Sequence, residues 1–257
     1  MSIERQWFGL VSYGTNNHQL YAMGGWNGRD GMNSVETYDT QTNKWKPMSV
    51  SMNLKRGNFG VAVINDSIYV CGGHQANSGS ILNQCEYYSA NKWLFTTSMI
   101  ECRRGLALVA HCGYLYAIGG GSRIDGGYMN SMEKYDILAK RWSATNLTNM
   151  HSTRYQFGAA SFLGNIYVCG GAGNSNGKTC ETYDPRANQW TPIASMNIKR
   201  LNFKLIVFQN KLYALGGDTS DGITNTVEIY DENQNQWHYT NITLPYKLDS
   251  YGAAVIT

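Results

Sequence analysis

The feature that most constrains the fold of this chain is a pair of adjacent glycines that recurs five times. Each pair ends a short run of apolar and aromatic residues, and successive pairs lie 46 to 51 residues apart. The pairs are Gly24-Gly25, Gly72-Gly73, Gly119-Gly120, Gly170-Gly171 and Gly216-Gly217. A fixed period of this length is typical of proteins in which every repeat forms one structural unit.

Three further landmarks keep the same order in every repeat. A glutamate two places before a tyrosine follows the glycine pair, a tryptophan comes next, and a methionine four places before an arginine opens each repeat. The tryptophans are Trp45, Trp93, Trp142, Trp190 and Trp237. The arginines are Arg5, Arg56, Arg103, Arg154 and Arg200. Each repeat therefore contains four strand-like runs, which predicts one four-stranded antiparallel sheet per repeat.

A sheet of four strands leaves two faces and two edges exposed, so the sheets must pack against one another around an axis. We therefore expect an all-β propeller that spans residues 1–257. The complete repeats are expected at about 1–51, 52–98, 99–149, 150–195 and 196–243, with a partial repeat at 244–257. Glycine suits the end of the second strand because it lets neighbouring backbone approach closely and accepts positive φ.

The landmarks, taken in order, resemble the kelch repeat, and the likeness covers essentially the whole chain. It implies a kelch β-propeller with five complete four-stranded blades plus the C-terminal strand of a further repeat. The residues after 243 open a sixth repeat without completing it. Two arrangements stay open: a five-bladed ring with a spare strand, and a fragment of a six-bladed ring.

The repeats are similar to those of animal BTB-kelch adaptor proteins. This resemblance implies a protein-interaction module that recognises substrates for a cullin-RING ubiquitin ligase, the ligase being bound by a BTB domain outside these residues. Actin binding, known among kelch proteins, is the alternative function. A kelch-fold enzyme, similar to galactose oxidase or a sialic acid mutarotase, is the third reading. We expect no catalytic residue and no cofactor, because the histidines share no repeat position and form no recognisable triad.

Positions that differ between repeats are free to specify a ligand. The variable segments follow the glycine pairs, at 26–35, 74–85, 121–132, 172–180 and 218–227, and we expect them to gather on one face. Tryptophan, tyrosine and arginine are enriched among interface hot spots. The predicted partner-binding residues are Trp26, Arg29, His74, Arg104, Arg123, Tyr128, Tyr155, Asp218 and Asp221.

The recurring arginines are interpreted as structural, because a residue present in every repeat is more simply a donor to carbonyls between blades. Cys71 with Cys85, and Cys169 with Cys180, replace apolar residues at matched repeat positions. A disulfide within each pair is conceivable, but without an apolar leader we expect a cytoplasmic protein with reduced thiols. Cys102 lies beside Arg103 and Arg104, which predicts a lowered thiol pKa.

The net charge of the chain and the spacing of its cysteines argue against several kinds of partner and site. The net charge is only +3 and the basic residues are dispersed, so neither nucleic acid nor a membrane surface is an expected partner. No Cys-x-x-Cys pair occurs, which argues against a zinc site.

Overall fold

The computed structural model describes residues 1–14, 19–75, 77–123, 127–174 and 176–256. These residues contain no helix and form five antiparallel four-stranded sheets, so the predicted five complete blades are confirmed. Accordingly, the described part of the chain has no helix able to span a membrane.

In every blade the first strand in chain order lies nearest the central axis, and the fourth lies at the outer edge. Blade 1 contains β1 (Gly9–Tyr13), β2 (Gln19–Met23), β3 (Val35–Asp39) and β4 (Lys44–Pro47). Blade 2 contains β5 (Gly60–Ile64), β6 (Ser67–Cys71), β9 (Cys85–Ser89) and β10 (Lys92–Thr96), with the small hairpin β7 (His74–Gln75) and β8 (Ser80–Ile81) between them. Blade 3 contains β11 (Ala107–His111), β12 (Tyr114–Ile118), β13 (Met132–Asp136) and β14 (Arg141–Ser143). Blade 4 contains β15 (Gly158–Phe162), β16 (Asn165–Cys169), β17 (Cys180–Asp184) and β18 (Gln189–Ile193). Blade 5 contains β19 (Lys204–Phe208), β20 (Lys211–Leu215), β23 (Thr226–Asp231) and β24 (Gln236–Thr243), with the hairpin β21 (Asp218–Thr219) and β22 (Gly222–Ile223).

The hydrophobic core consists of four clusters, each between two successive blades. In the cluster between blades 1 and 2, Tyr21 and Met23 pack against Tyr88 and Trp93. The same positions build the other three clusters, so the repeat itself encodes the packing between blades. Burial of this alternating apolar pattern is the main force that holds the sheets face to face.

Each repeat arginine is buried inside its own blade, where it pairs with the repeat glutamate. In blade 3, Arg103 lies 3.0 Å from Glu133 and donates to the carbonyl oxygens of Gly119 and Ser131. The same pairs are Arg5–Glu36, Arg56–Glu86, Arg154–Glu181 and Arg200–Glu228. The structural role was expected, but the prediction that the side chains reach carbonyls between blades was wrong. The bond between blades instead runs to the arginine's own carbonyl, as from Gly73 N to Arg103 O at 2.8 Å.

The blades are joined at the axis by a closed ring of six backbone hydrogen bonds. The residue two places after each repeat arginine donates its N–H to the equivalent carbonyl of the preceding repeat, at 2.7 to 3.1 Å. The members are Trp7, Asn58, Gly105, Gln156, Asn202 and Ser250, and all have positive φ. Ser250 belongs to the incomplete repeat, so the ring has six positions although only five blades are complete.

The last residues occupy the place of a sixth blade's first strand. Leu244 N donates to Asn225 O at 2.8 Å, and Met52, Met99, Met150 and Met196 make the equivalent bond at the earlier repeat junctions. Gly217 N donates to Leu248 O at 2.8 Å. Of the two arrangements left open by the sequence, the geometry matches a six-position ring in which one blade consists of a single extended segment.

Two disulfide bonds correct the expectation of reduced thiols. Cys71 is bonded to Cys85 and Cys169 to Cys180, while Cys102 and Cys112 are free. The members of each pair stand directly opposite each other on neighbouring strands, with Cα atoms 4.2 Å apart. Reduced thiols were expected because the protein was predicted to be cytoplasmic. The register of these strands instead places the two sulfur atoms of each pair together.

A thiol count tests these bonds. We expect the unfolded, unreduced protein to react at two thiols and the reduced protein at six. Each bond closes a short loop, so reduction should lower the free energy of unfolding by about 3 kcal/mol per bond. The reduced protein should still fold, because blades 1, 3 and 5 form the same sheets without such a bond. Six reactive thiols in the unreduced protein would contradict the assignment.

Candidate functional site

One face of the propeller is formed at the same point of every blade. The residue after each repeat arginine pairs with the residue that follows the glycine pair of the same blade. The pairs are Gln6–Trp26, Gly57–His74, Arg104–Gly121, Tyr155–Ala172 and Leu201–Asp218. We call these ten residues, with the segments that follow the glycine pairs, the loop face. Residues 76, 124–126 and 175 of those segments lie outside the described part of the chain.

One packed part of the loop face joins blades 3 and 4. The Arg104 guanidinium lies 4.7 Å from the centre of the Tyr155 ring and donates to the Tyr155 hydroxyl at 2.5 Å. The Tyr128 ring stacks on Tyr155 at 5.1 Å. Arg104 also donates to the Arg123 carbonyl at 3.2 Å. Four residues predicted separately from the sequence therefore form one cluster, which we call the arginine–tyrosine cluster.

The side chains of the arginine–tyrosine cluster differ in their exposure to solvent. Tyr155 is buried and Tyr128 is 37 % exposed, while the Arg123 side chain is exposed. Burial raises the pKa of Tyr155, although the positive charge of Arg104 and a hydrogen bond from Asn58 oppose that shift. The neutral phenol of Tyr155 thus holds Arg104 in place. Tyr128 and Arg123 present aromatic surface and positive charge to solvent.

The loop face continues from this cluster across blades 2 and 1. His74 lies close enough to Arg104 for its charge to act on the imidazole, and the Trp7 ring meets His74 edge-on at 6.2 Å. Burial and then Arg104 lower the pKa of His74, so its ring is neutral near pH 7. Four successive blades therefore contribute side chains to a patch around the axis, with Trp7 against His74 and Arg104 against Tyr155.

The remaining predicted residues lie on the loop face apart from the cluster. Trp26 is half-buried and pairs with Gln6 and Gly31, while the Arg29 side chain is 92 % exposed, 4.0 Å from Asp30. Asp218 and Asp221 belong to the hairpin of blade 5, and Asp221 is exposed. On the loop face, Arg104 and Arg123 thus bring positive charge to blade 3 and Asp218 and Asp221 bring negative charge to blade 5, while Arg29 of blade 1 lies beside Asp30.

The loop face surrounds the mouth of the central channel. A cavity of about 70 Å³ lies at the mouth, bordered by the six ring residues, and one of about 180 Å³ lies below it. Lys204 lines both cavities, and desolvation in the channel lowers the pKa of its ammonium group. The mouth therefore combines hydrogen-bonding groups of Asn58, Gln156 and Asn202 with one cation.

Trp7, Asn58 and Lys204 were not predicted from the sequence, although a signal for Lys204 was present. Lys204 lies four places after its repeat arginine. The equivalent position is glycine or alanine in the other repeats, at Gly9, Gly60, Ala107, Gly158 and Gly252. A lysine among five small residues is the departure that marks it. Trp7 and Asn58 share a ring position that varies between repeats, and only the hydrogen-bonded ring shows that this position faces the channel.

The thiol of Cys102 does not have the predicted lowered pKa. Burial raises the pKa of this thiol, and the carboxylates of Glu101 and Glu133 raise it further. The neighbouring Arg103 is committed to Glu133 within the blade. The position of Cys102 beside two arginines in the sequence therefore did not predict its pKa, because the fold decides which charges lie nearest to the sulfur atom.

Comparison with known proteins agrees with this architecture. The model of the KLHDC2/KLHL20/DRC7 Kelch-repeats domain matches residues 10–200, and the Kelch motif matches residues 199–241. The solved structure titled "Structure of YjhT" superposes with a TM-score of 0.78 at 15 % identity, covering 92 % of this chain and 84 % of that one. At that identity the likeness concerns the fold alone.

Several curated proteins are similar over most of this chain. Kelch-like protein 25 of Xenopus tropicalis is 29 % identical over 90 % of the chain and 40 % of its own length. Kelch repeat and BTB domain-containing protein 1 of Ectromelia virus is 30 % identical over 90 % of the chain and 42 % of its own length. Beta-scruin of Limulus polyphemus is 27 % identical over 88 % of the chain and 28 % of its own length. This chain thus spans less than half of each relative, and with five kelch repeats and a matching family model it belongs to the kelch-repeat family.

Proposed function

We propose that this propeller binds a protein segment on its loop face and serves as the substrate-recognition part of a kelch-like adaptor for a cullin-RING ubiquitin ligase. The observation that carries the proposal is the patch formed by Trp7 against His74 and by Arg104 against Tyr155, to which four successive blades contribute. A patch assembled from so many blades suits a partner that covers the axis.

The chemistry of the patch indicates the kind of segment that it would bind. Arg104, Arg123 and Lys204 can pair with carboxylates, and Tyr128 and Trp7 can pack against apolar side chains. The aspartates of blade 5 would repel a second carboxylate and attract a basic residue. We therefore propose an extended segment with an acidic residue over the channel and a basic residue toward Asp218 and Asp221.

The adaptor role draws support from relatives named as kelch-like and as kelch repeat and BTB domain-containing proteins. In this proposal the ligase is bound through a BTB domain outside residues 1–257, and the protein works in the cytoplasm. That compartment keeps thiols reduced, so the proposal requires the propeller to fold with both cysteine pairs open. Actin binding is the second candidate and predicts sedimentation with actin filaments.

The proposal gives the chain no catalytic activity. Among the described residues that line the channel, the titratable groups are the ammonium of Lys204 and the phenol of Tyr251, with no carboxylate or imidazole beside them. The described residues also include no group of three or more metal-ligating side chains.

Affinity capture with a charge-matched control tests the proposal. The variant Arg104→Ala/Arg123→Ala removes two cations from the loop face, and Lys140→Ala/Arg141→Ala removes two exposed cations from the opposite end of blade 3. We expect a specific partner to bind the parent and the control equally and the loop-face variant at least about 30-fold more weakly, since hot-spot residues each contribute 2 kcal/mol or more.

Three outcomes distinguish the candidates. Loss of a partner only in the loop-face variant, with an unchanged melting temperature, supports recognition by this face. Equal loss in both variants would show that charge alone matters and would contradict the proposed site. Capture of actin filaments by the parent, with no soluble partner, would replace the adaptor role with the second candidate.

A further inference from the structure

A cysteine and a histidine contact each other at the end of the propeller opposite the loop face. We call this end the turn end, because it carries the tight turns between the first and second strands of blades 2 to 5, at residues 65–66, 112–113, 163–164 and 209–210. His111 is the last residue of β11, and Cys112 opens the turn that follows it. The Cys112 Sγ lies 3.2 Å from the His111 Nε2, so the thiol and the imidazole share a hydrogen bond.

Both residues differ from those that the other blades place at the same positions. The equivalents of His111 are apolar or aromatic, namely Tyr13, Ile64, Phe162 and Phe208. The equivalents of Cys112 in blades 2, 4 and 5 are asparagine, leucine and glutamine, and all four residues have a φ of 47 to 48°. The strand and the turn therefore form without histidine or cysteine, and the pair is a particular feature of blade 3.

The neighbouring blade holds the imidazole in one orientation. His111 is 6 % exposed, and its Nδ1 lies 2.8 Å from the hydroxyl of Ser161 on the first strand of blade 4. The Tyr116 ring meets the imidazole edge-on at 6.3 Å. When Nδ1 donates its proton to Ser161, the lone pair of Nε2 is free to accept the proton of Cys112. A nucleophile therefore lies beside a base that a third group orients.

The charge state of the imidazole suits it to act as that base. Burial lowers the pKa of His111, and the backbone of Gly164 opposes this shift. The ring is therefore neutral near pH 7 and can accept a proton. Two tyrosines adjoin the pair: Tyr114, whose ring carries the Lys134 ammonium at 4.6 Å, and Tyr116. Burial raises the pKa of Tyr116 to about 12, so its phenol stays uncharged over the range in which thiols ionise.

The two free thiols of the protein differ in access and in surroundings. Cys112 is exposed, so a molecule in solution can reach its sulfur while the buried imidazole contacts it from the protein side. Cys102 is half-buried, and burial, together with the carboxylates of Glu101 and Glu133, raises its pKa. Because the thiolate is the reactive form, Cys102 is an internal reference for a thiol without a base.

We propose that Cys112 is a site of thiol–disulfide exchange with small disulfides in solution, with His111 as its base and Ser161 as the residue that positions the imidazole. The His111 Nε2 takes the thiol proton while the Cys112 sulfur attacks one sulfur of the disulfide. The sulfur–sulfur bond of the disulfide breaks, and a new one joins Cys112 to half of that molecule. The leaving thiolate takes the proton from the imidazolium. Cys112 is oxidised and the leaving sulfur is reduced, so no other oxidant is needed.

The class of reactant follows from the place of the thiol and from the chemistry of the pair. The turn projects into solvent, which leaves room for a disulfide with bulky substituents. The imidazole can return the proton that it took to the leaving sulfur, which a thiol without a base cannot arrange. The turn end lies opposite the loop face, so the exchange leaves the proposed binding face open and does not depend on the proposed function.

Exchange with oxidised glutathione, followed by peptide mass spectrometry of the unreduced protein, tests the proposal. The matched variant is His111→Phe, which introduces the residue type of blades 4 and 5 and removes the base. At pH 7 we expect Cys112 of the parent to react at least about tenfold faster than Cys102, and at least about tenfold faster than Cys112 of the variant. At pH 9 the ratio of parent to variant should fall to about twofold, because an ordinary thiol is then largely ionised without a base. A merely structural histidine would not give this dependence on pH.

Two variants of Ser161 test its positioning role. Ser161→Ala leaves the His111 Nδ1 without its hydroxyl partner, and we expect the rate at Cys112 to fall about threefold at pH 7, the effect of one hydrogen bond. Ser161→Thr keeps the hydroxyl and should restore the rate of the parent. Equal rates for the two variants would remove Ser161 from the site.

The proposal is overturned if Cys112 reacts no faster than Cys102 in the parent, a comparison that holds even if His111→Phe fails to fold. It is also overturned if the folded His111→Phe variant keeps the parent's rate at pH 7. Oxidation of Cys112 by hydrogen peroxide with no reaction toward oxidised glutathione would exclude the proposed class of reactant. A dimer linked through Cys112, formed in place of the mixed disulfide, would show that a second copy of the chain takes the thiol instead.

Discussion

Replacing Arg103 with methionine is expected to lower the free energy of unfolding by about 3–5 kcal/mol, because removal of one partner leaves a buried charge without compensation. Arg103 is fully buried, and its guanidinium is bound to Glu133 and to the carbonyl oxygens of Gly119 and Ser131. The remaining donors to Glu133 are the backbone N–H groups of Ile100 and Glu101. Chemical denaturation with urea measures the change.

The neighbouring arginine provides the control. Arg104→Met removes the same functional group from the loop face, and we expect a loss of about 1 kcal/mol or less. The double variant Arg103→Met/Glu133→Leu should recover most of the stability lost by Arg103→Met, because both buried charges are then gone. Equal losses for Arg103→Met and Arg104→Met would contradict the assignment of Arg103 as the structural member of the pair.

The second large effect is expected for Gly72→Ala, which should cost about 2–5 kcal/mol. Gly72 has a φ of +68°, and a Cβ atom there would lie 2.3 Å from the carbonyl oxygen of Arg103 in the next blade. The left-handed backbone costs alanine about 1–2 kcal/mol, and the steric overlap with a rigid backbone atom adds about 1–3 kcal/mol. The substitution therefore strains the contact between blades 2 and 3.

Gly113→Ala separates the two contributions. Gly113 also has a positive φ, of +82°, but no atom lies within 4 Å of a Cβ at this position. We expect only the backbone cost, about 1–2 kcal/mol, in this variant. If thermal or urea denaturation gave equal losses for both variants, the close approach of blades at the glycine pair would not be what requires glycine.

Much of the fold could be predicted from the sequence because the repeat fixes both strand order and packing. The glycine pairs and the Glu-x-Tyr runs locate the second and third strands, and these are the strands that the structure contains. The partner of each repeat arginine was not predicted, although the repeat glutamate recurs just as often. Two recurring charges of opposite sign in an apolar repeat favour a buried ion pair, and this general rule would have identified it.

Ring closure and the site were less accessible to sequence reasoning. The six-membered ring depends on Ser250, which lies in an incomplete repeat with few landmarks. Among the predicted contact residues, Arg104 and Tyr155 were chosen because they occupy a slot that varies between repeats. That they touch each other, and that Trp7 and Lys204 border the same channel, depends on distances between blades that no single repeat encodes.

The central claim is that a protein partner binds the loop face, and site-specific photocrosslinking tests it most directly. A photoreactive phenylalanine is placed at position 123 on the loop face, and in a second protein at position 163. Leu163 is 51 % exposed at the opposite end of blade 4. We expect the captured partner to crosslink from position 123 and not from position 163. A crosslink from 163 with none from 123 would place the partner on the other end of the propeller and contradict the account.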